Sequence, residues 1–406
     1  MIKRIGLLTS GGDCQALNAT MRGVVKALSN AVEDLEVYGF DDGYKGLIYG
    51  KYHMLTAKDF SGILTRGGTI LGTSRQPFKL MRVPDEKGLD KVEAMKHTYK
   101  KLKLSCLVVL GGNGSQKTAN MLSEEGFNVV SLQKTIDNDL AATDHTPGYG
   151  SAAKYIGSIT KEVIRDGLVY DQQNVTILEI MGRNAGWLTG AAALAKCEDC
   201  EGPDMIFLPE VTFDVDEFMK KVAELHKKKK SVVVAVSEGV KTADGRYVCE
   251  LTDGIDFVDA FGHKQLTGTA RFLAEKINRE VGCKTRAIEF NSLQRCASHI
   301  VSRVDITEAY QVGGAAVKEA FEGETGKMII LKRVSDDPYI CVTDIYDVHK
   351  IANVEKKVPR NWINEAGDYV TEEFVNYIRP LIQAELTPIM TDGLPRHLYY
   401  TDIEKK

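Results

Sequence analysis

The sequence predicts an α/β fold in which mostly parallel sheets are covered by helices, and three observations support this. Short apolar, β-branched runs recur along the chain, and each is followed by a glycine-rich or polar turn and then by helical spacing. The 406 residues exceed the size at which one hydrophobic core stops growing, so two domains are expected. With 43% hydrophobic and 27% charged residues, the composition is that of a soluble globular protein.

Six apolar runs predict strands, at residues 5–8, 106–110, 129–132, 175–178, 205–208 and 232–236. Apolar residues at helical spacing predict amphipathic helices around residues 17–28, 156–163, 215–225, 307–321 and 371–378. Ligands of open α/β sheets bind outside the carboxyl ends of the strands. The turns after the strands are therefore where chemistry is expected.

Charge and cysteine content exclude several classes of protein. The 52 Lys and Arg against 56 Asp and Glu give a formal charge of −4, so no basic surface for nucleic acid is expected. No stretch reaches the roughly 20 apolar residues of a membrane span, and we expect a cytoplasmic protein with reduced thiols. Cys197 and Cys200 are the only close cysteine pair, and they lack the second pair that a zinc site requires.

Two glycine-rich turns follow predicted strands, at residues 9–13 (TSGGD) and 110–115 (LGGNGS). Small residues at such a turn let backbone N–H groups and a helix N-terminus approach a phosphate. A plain strand-to-helix turn capped by Asp13 is the alternative for the first. Neither turn matches the P-loop or the dinucleotide-binding pattern.

Residues 134–139 (KTIDND) place a cation, a hydroxyl and two carboxylates directly after a strand. Asp137 and Asp139 share a face of an extended segment, so one could take a proton while the other holds a metal ion. The alternative is a simple turn and helix cap. Arg183, which ends the strand run near 180, could clamp a phosphate, and a surface salt bridge is its alternative.

Taken in order, these motifs resemble those of the phosphofructokinase family. The matching segments are TSGGD (9–13), GGTILGTSR (67–75), GGNGS (111–115), KTIDND (134–139), MGRNAGWLT (181–189), SEG (237–239), TRA (285–287) and LQR (293–295). The match covers roughly residues 1–300, and the later stretch looks like the longer forms of the family. Both ATP-dependent and pyrophosphate-dependent enzymes occur among those forms.

The resemblance implies two Rossmann-like three-layer domains with mostly parallel sheets, plus a C-terminal extension. Residues 1–150 with about 266–305 would bind the phosphoryl donor, and about 151–265 with 306–370 would bind the sugar phosphate. Residues 371–406 would form the extension. A homodimer or homotetramer with the acceptor site shared between subunits is expected.

The resemblance also assigns roles to individual residues. The donor site would comprise Gly12, Tyr44, Arg75, Gln76, Gly112, Gly114 and Ser115. Asp137 would be the general base, with Thr135, Lys134 and Arg183 also in the catalytic group. Mg²⁺ would be held by Asn113 and Asp139. The acceptor would contact Thr135, Asp137, Met181, Gly182, Arg183, Glu238, Arg286 and Arg295.

Three positions depart from the family pattern, and they bear on the substrate. Asn113 replaces an aspartate, while Asn174 and Ser292 stand where an arginine and a histidine are usual, which leaves sedoheptulose 7-phosphate as an alternative acceptor. Gly114 resembles the ATP users and Lys134 the pyrophosphate users. We expect a 6-phosphofructokinase acting in glycolysis with ATP, pyrophosphate being the alternative donor. NAD or lipid kinases and a non-catalytic subunit are further alternatives.

Overall fold

Two sheets organise the chain, which the computed structural model describes over residues 3–251, 266–323, 325–350 and 354–397. The strands in chain order are β1 (Lys3–Thr9), β2 (Leu35–Phe40), β3 (Tyr52–Leu55), β4 (Cys106–Gly111), β5 (Val129–Gln133), β6 (Asn174–Ile180), β7 (Met205–Phe207), β8 (Ser231–Ser237), β9 (Lys284–Glu289), β10 (Lys327–Asp336), β11 (Tyr339–Asp347), β12 (Met390–Thr391) and β13 (Leu394–Pro395). The α-helices are α1 (Leu17–Ala31), α2 (Tyr44–Tyr49), α3 (Lys91–Leu102), α4 (Asn113–Glu124), α5 (Tyr149–Val169), α6 (Trp187–Gly190), α7 (Val215–Lys228), α8 (Thr269–Val281), α9 (Leu293–Cys296), α10 (Arg303–Glu322) and α11 (Glu372–Ile378).

The first sheet has seven strands in the order β11-β10-β5-β4-β1-β2-β3, and its five inner strands run parallel. Only the two edge strands, β3 and β11, pair antiparallel to their neighbours. The second sheet has the order β7-β8-β6-β9 and is parallel throughout. All six predicted strands are confirmed, and so is the mixed α/β fold with mostly parallel sheets.

The division of the later chain between the sheets corrects our expectation. We assigned about 266–305 to the donor domain, but β9 pairs with β6 in the second sheet. We assigned 306–370 to the acceptor domain, but β10 pairs with β5 and completes the first sheet. The physical reason is burial: Met328, Ile329, Ile330 and Leu331 are buried when β10 pairs within the first sheet. Sequence order does not reveal which open sheet edge a strand returns to.

Helix α10 also belongs with the first sheet, because it packs directly against α1. A β-carbon on Gly23 would lie 2.1 Å from the carbonyl oxygen of Tyr310, and one on Gly313 would lie 2.1 Å from that of Thr20. The two glycines therefore allow the helix backbones to touch.

The C-terminal segment, by contrast, lies beside the second sheet. Trp362, Phe374 and Tyr377 surround Trp187 at ring separations of 6.1, 5.9 and 5.3 Å. The Trp187 indole also donates a 2.8 Å hydrogen bond to the Lys356 carbonyl. No helix in the described part of the chain is long and apolar enough to cross a bilayer.

Candidate active site

A cavity of about 690 Å³ opens at the carboxyl ends of both sheets. The first sheet contributes the turns after β1, β4 and β5, and the second contributes the segments after β6, β8 and β9. This is the position that parallel sheets offer to ligands, since strand ends and helix N-termini converge there. The site residues are therefore brought together from distant parts of the sequence.

The turns after β1 and β4, at residues 9–13 and 110–115, form one wall of the cavity with their backbone groups; we call it the glycine wall. Gly11 has φ of +96°, and the Ser10 N–H donates to Leu110 O at 2.8 Å, which ties the two turns together. Gly112 precedes α4, so the N-terminus of this 12-residue helix faces the cavity. A β-carbon on Gly114 would have no atom within 4 Å, which leaves open space at this wall. Helix N-termini and small residues of this kind suit a phosphate group.

Tyr44 lies behind this wall, which corrects its expected place in the donor site. Its side chain is buried, and its hydroxyl donates a 2.9 Å hydrogen bond to the carbonyl oxygen of Ser115. The ring packs in a hydrophobic cluster beside the first sheet, so neither of its faces is open to a ligand. Tyr44 supports the first turn of α4 instead.

The loop after β5 forms the acidic wall of the cavity. The Thr135 hydroxyl lies 3.3 Å from Asp137 Oδ2, and the Asp137 N–H donates to Thr135 Oγ1 at 3.1 Å. Between the two carboxylates, Asn138 is fully buried and takes a left-handed backbone with φ of +54°. The turn directs Asp137 and Asp139 into the cavity and Asn138 away from it.

Burial and mutual repulsion disfavour the charged forms of the acids in this cavity. Burial raises the pKa of Asp137, while the Thr135 hydrogen bond, Lys134, Arg295 and Arg183 oppose that rise. Burial, with repulsion from Asp137, raises the pKa of Asp139 to about 7. Such crowded carboxylates are stabilised in their ionised form by a bound cation.

Lys134 is the cation nearest to the glycine turns. Its ammonium group donates to the carbonyl oxygen of Gly12, and the side chain is almost completely buried at the cavity wall. Burial lowers the pKa of this lysine, and the negative charge of Asp13 and Asp137 opposes that effect. Lys134 therefore bridges the glycine wall and the acidic wall.

The second sheet supplies arginines, the buried Glu179 and the partly buried Glu238. Arg183 and Arg295 line the cavity and attract the Asp137 carboxylate. Glu238 accepts a long, 3.5 Å hydrogen bond from the Gly182 N–H, and burial together with Asp137 raises its pKa to about 8. Glu179 accepts from the Ala270 N–H at 2.8 Å, and burial raises its pKa to about 7.

Oxygen ligands from both walls of the cavity fit Mg²⁺. Asp139 and the amide of Asn113 both line the cavity and present oxygen atoms, which are the ligands this ion prefers. Burial and repulsion from Asp137 raise the pKa of Asp139 to about 7, and a bound cation would favour its ionised form. Elsewhere among the described residues, His145, Glu308 and Cys341 cluster, but His145 lies between Asp144 at 2.8 Å and Glu308 at 2.7 Å.

Most of the residues expected from sequence line this cavity. They are Gly12, Arg75, Gln76, Gly112, Asn113, Gly114, Ser115, Lys134, Thr135, Asp137, Asp139, Met181, Arg183, Glu238 and Arg295. Gly182 stands just behind the wall, where its carbonyl accepts from the Ser237 hydroxyl at 2.7 Å.

Arg286 does not line the cavity of its own chain. Its guanidinium pairs with Asp166 at 2.9 Å and covers the Tyr170 ring at 5.0 Å. Both partners belong to the end of α5 and the residue after it, and neither lines the cavity.

Sequence reasoning missed several cavity residues. They include Asp13, Glu179, Asn184, Glu289 and Asn291. Glu179 offered one usable signal, because it is a lone acid within the apolar run of β6. Asp13 and Asn184 lie within the motifs at 9–13 and 181–189, which gave them no role of their own. Glu289 ends β9 and Asn291 follows it, and neither carried such a signal.

Asn174 and Ser292 differ in their surroundings. Asn174 is buried, its amide donates to the Gly167 carbonyl at 3.0 Å, and it accepts from the Ser231 hydroxyl at 3.0 Å. An arginine could not replace it without disrupting the start of β6. Ser292 is exposed at the start of α9.

Comparison with known proteins extends over nearly the whole chain. A sequence model of the family described as Phosphofructokinase matches residues 4–320. The pyrophosphate–fructose 6-phosphate 1-phosphotransferase of Halomonas elongata is 34% identical over 397 residues, which cover 95% of this chain and 93% of that protein. The ATP-dependent 6-phosphofructokinase of Spirochaeta thermophila is 38% identical over 340 residues, covering 81% and 87%.

A solved structure gives the same result for the fold. The crystal structure of the pyrophosphate-dependent phosphofructokinase from Marinobacter aquaeolei matches with a TM-score of 0.84 at 28% identity, covering 98% of this chain and 95% of that one. The names of these relatives include both ATP and pyrophosphate as donors.

Proposed function

This chain belongs to the phosphofructokinase family, and we propose that it transfers a phosphoryl group from ATP to the 1-hydroxyl of fructose 6-phosphate, giving fructose 1,6-bisphosphate. The carrying observation is the single cavity in which the acidic loop after β5 faces glycine turns on one side and Arg183 and Arg295 on the other. Phosphoryl transfer depends on positioning and on distributed positive charge more than on covalent chemistry.

Asp137 is the proposed base, and its surroundings support that role. Its carboxylate faces the cavity, and its raised pKa makes it a better proton acceptor than an ordinary aspartate. Thr135 fixes its orientation through the two hydrogen bonds described above. Asp137 would take the proton of the sugar hydroxyl as that oxygen attacks the phosphoryl group.

Cations on both sides would hold the substrates in line. Lys134 and the N-terminus of α4 would stabilise the donor phosphates, and Arg183 and Arg295 would hold the acceptor phosphate. Asn113 and Asp139 would hold Mg²⁺, which when bound neutralises charge on the donor phosphates. Met181 and Glu238 would contact the sugar.

The open space at Gly114 supports ATP as the donor. A nucleotide has an α-phosphate and a sugar beyond the two terminal phosphates, so it needs room that a side chain would occupy. Pyrophosphate is the second candidate, because Lys134 places a buried ammonium group at the wall and because relatives over 30% identical carry that name.

A second copy of the chain would complete the acceptor site. Arg286 stands apart from its own cavity, beside the exposed apolar residues Leu168, Val169 and Tyr170, which are 54%, 74% and 39% exposed. An exposed apolar group next to a cation is typical of a protein interface. Replacing Arg286 with alanine should raise the KM for the sugar phosphate while the donor KM stays unchanged.

The donor test is a matrix of initial rates with ATP or pyrophosphate against fructose 6-phosphate or sedoheptulose 7-phosphate. The wild type should use ATP, and Gly114→Asp should lose at least 90% of that activity, since the carboxylate repels the nucleotide phosphates. Gly114→Ala is the matched control: it adds a β-carbon without the carboxylate and meets no protein atom within 4 Å, so it should lose less ATP activity than Gly114→Asp. Activity of the wild type with pyrophosphate alone would refute ATP as the donor.

A further inference from the structure

The C-terminal segment reaches the acidic loop, although the sequence shows no catalytic motif after about residue 301. The Lys356 N–H donates to the carbonyl of Asp139 at 2.8 Å, and Glu355 forms an antiparallel bridge with Leu140. A short stretch of chain after β11 is therefore hydrogen bonded to the backbone at Asp139 and Leu140.

Tyr377, in the last turn of α11, contacts the middle of the same loop. The Asn138 side-chain amide donates to the Tyr377 hydroxyl at 2.9 Å, and that hydroxyl donates to the carbonyl of Asp144 at 2.6 Å. The Lys356 ammonium also donates to the Tyr377 hydroxyl, at 3.2 Å. A phenolic oxygen has one donor and two acceptor positions, so all of them are used here.

Asn138 is the residue whose conformation separates Asp137 from Asp139. It is fully buried and left-handed, a conformation that asparagine tolerates better than most residues but that still costs free energy. Its side-chain oxygen accepts from the Thr146 N–H at 3.1 Å, and its amide has Tyr377 as partner. Loss of the Tyr377 hydroxyl would leave a buried amide N–H without a hydrogen bond, which is costly.

The tyrosine ring is itself held rigidly. Arg333 covers it at 4.7 Å and donates to the Tyr377 carbonyl at 2.9 Å, while Trp187 and Trp362 pack beside it at 5.3 and 5.2 Å. A rigid support of this kind fixes a hydrogen-bonding atom within a narrow range.

We infer that Tyr377 is a positioning residue for phosphoryl transfer: through Asn138 it holds Asp137 and Asp139 in the orientation that the reaction requires. The inference rests on the proposed function. It gives the C-terminal segment a role in turnover. The Tyr377 hydroxyl contacts the loop after β5, although Tyr377 does not line the cavity.

The test is Tyr377→Phe, which keeps the ring and removes the oxygen. We expect kcat to fall about 10- to 100-fold, because misplacement by a fraction of an ångström is costly in such reactions, with KM for both substrates changed less than threefold. Tyr339→Phe is the matched control. Its ring also lies under Arg333, at 5.1 Å, but its hydroxyl donates to Glu308 at 2.6 Å and does not contact Asn138.

A second variant separates positioning from loss of stability. Asn138→Gly accepts the left-handed backbone without strain but has no amide to anchor, so it should lower kcat as well. In that background Tyr377→Phe should cause no further fall, because the hydrogen bond is already absent. Melting temperatures of all variants are recorded alongside the rates.

Each outcome decides the inference. An equal fall of kcat in Tyr377→Phe and Tyr339→Phe, independent effects of Tyr377→Phe and Asn138→Gly, or an unchanged kcat in Tyr377→Phe would each overturn it. If the wild type transferred phosphate from neither ATP nor pyrophosphate, the proposed function would fail first, and the inference with it.

Discussion

The glycine wall and the acidic wall of the cavity are built in opposite ways. The glycine wall consists of backbone turns after β1 and β4, held by backbone hydrogen bonds such as that from Ser10 to Leu110 and by the absence of side chains. The acidic wall consists of side chains on one strained loop, whose conformation depends on residues more than 200 positions later in the chain. The first should therefore be damaged by adding atoms, and the second by removing them.

The largest effect is expected from removing charge at the acidic wall. Asp137→Asn keeps the shape of the loop but cannot accept a proton, so kcat should fall by ~10²–10⁴ with little change in KM. Steady-state kinetics at saturating donor measure this, with Asp85→Asn, outside the cavity, as a control for the same chemical change. A kcat within fivefold of the wild type would show that another group is the base.

An added methyl group should damage the glycine wall next most strongly. Gly43 has φ of +66°, and a β-carbon there would lie 2.4 Å from the carbonyl of Thr9, at the end of β1. Gly43→Ala should lower the free energy of unfolding by about 1–3 kcal/mol and raise the donor KM.

Gly62→Ala provides the matched control for this substitution. Its φ of +71° imposes the same backbone strain, but a β-carbon there meets nothing within 4 Å. Urea unfolding should thus separate the clash from the strain. Equal losses in the two variants would mean that the contact with Thr9 is unimportant.

The smallest effect concerns the pH dependence of stability, through Glu238 in the same cavity. The pKa of Glu238 is raised to about 8 in the folded protein, mainly by burial, whereas in the unfolded chain it takes its ordinary value near 4.5. The folded state therefore binds the proton more tightly, and this contribution to stability is present at low pH and lost as the pH rises through about 8.

Glu238→Gln should remove that contribution, so the melting temperature measured without Mg²⁺ should fall less between pH 6 and pH 9 than in the wild type. The expected difference is roughly 2–4 °C for each kcal/mol. Parallel melting curves for wild type and Glu238→Gln would contradict the assignment.

Sequence patterns were informative where structure is local. The apolar runs that precede the glycine turns and residues 134–139 are the strands that carry them, and the cavity lies at their carboxyl ends. The sequence could also assign the glycine motifs to the cavity, because turn residues such as Gly112 contribute their own backbone groups and need no distant partner. The glycine wall was in this sense readable from the sequence.

Long-range packing could not be read in the same way. The family resemblance placed Tyr44 in the donor site, but a hydrophobic cluster beside the first sheet covers its ring. Nothing in the composition of β9 or β10 indicates which sheet each joins. The role of Tyr377 depends on a hydrogen bond to Asn138 that only the folded chain brings together.

The pairing of β10 with β5 has a consequence for synthesis. Val130 and Lys327 are neighbours in the finished sheet, so one edge of β5 has no strand partner until the later residue leaves the ribosome. At 5–20 residues per second this interval is roughly 10–40 s. For that time the nascent chain carries an open, apolar sheet edge. This makes the partly formed first sheet a candidate substrate for chaperones during translation.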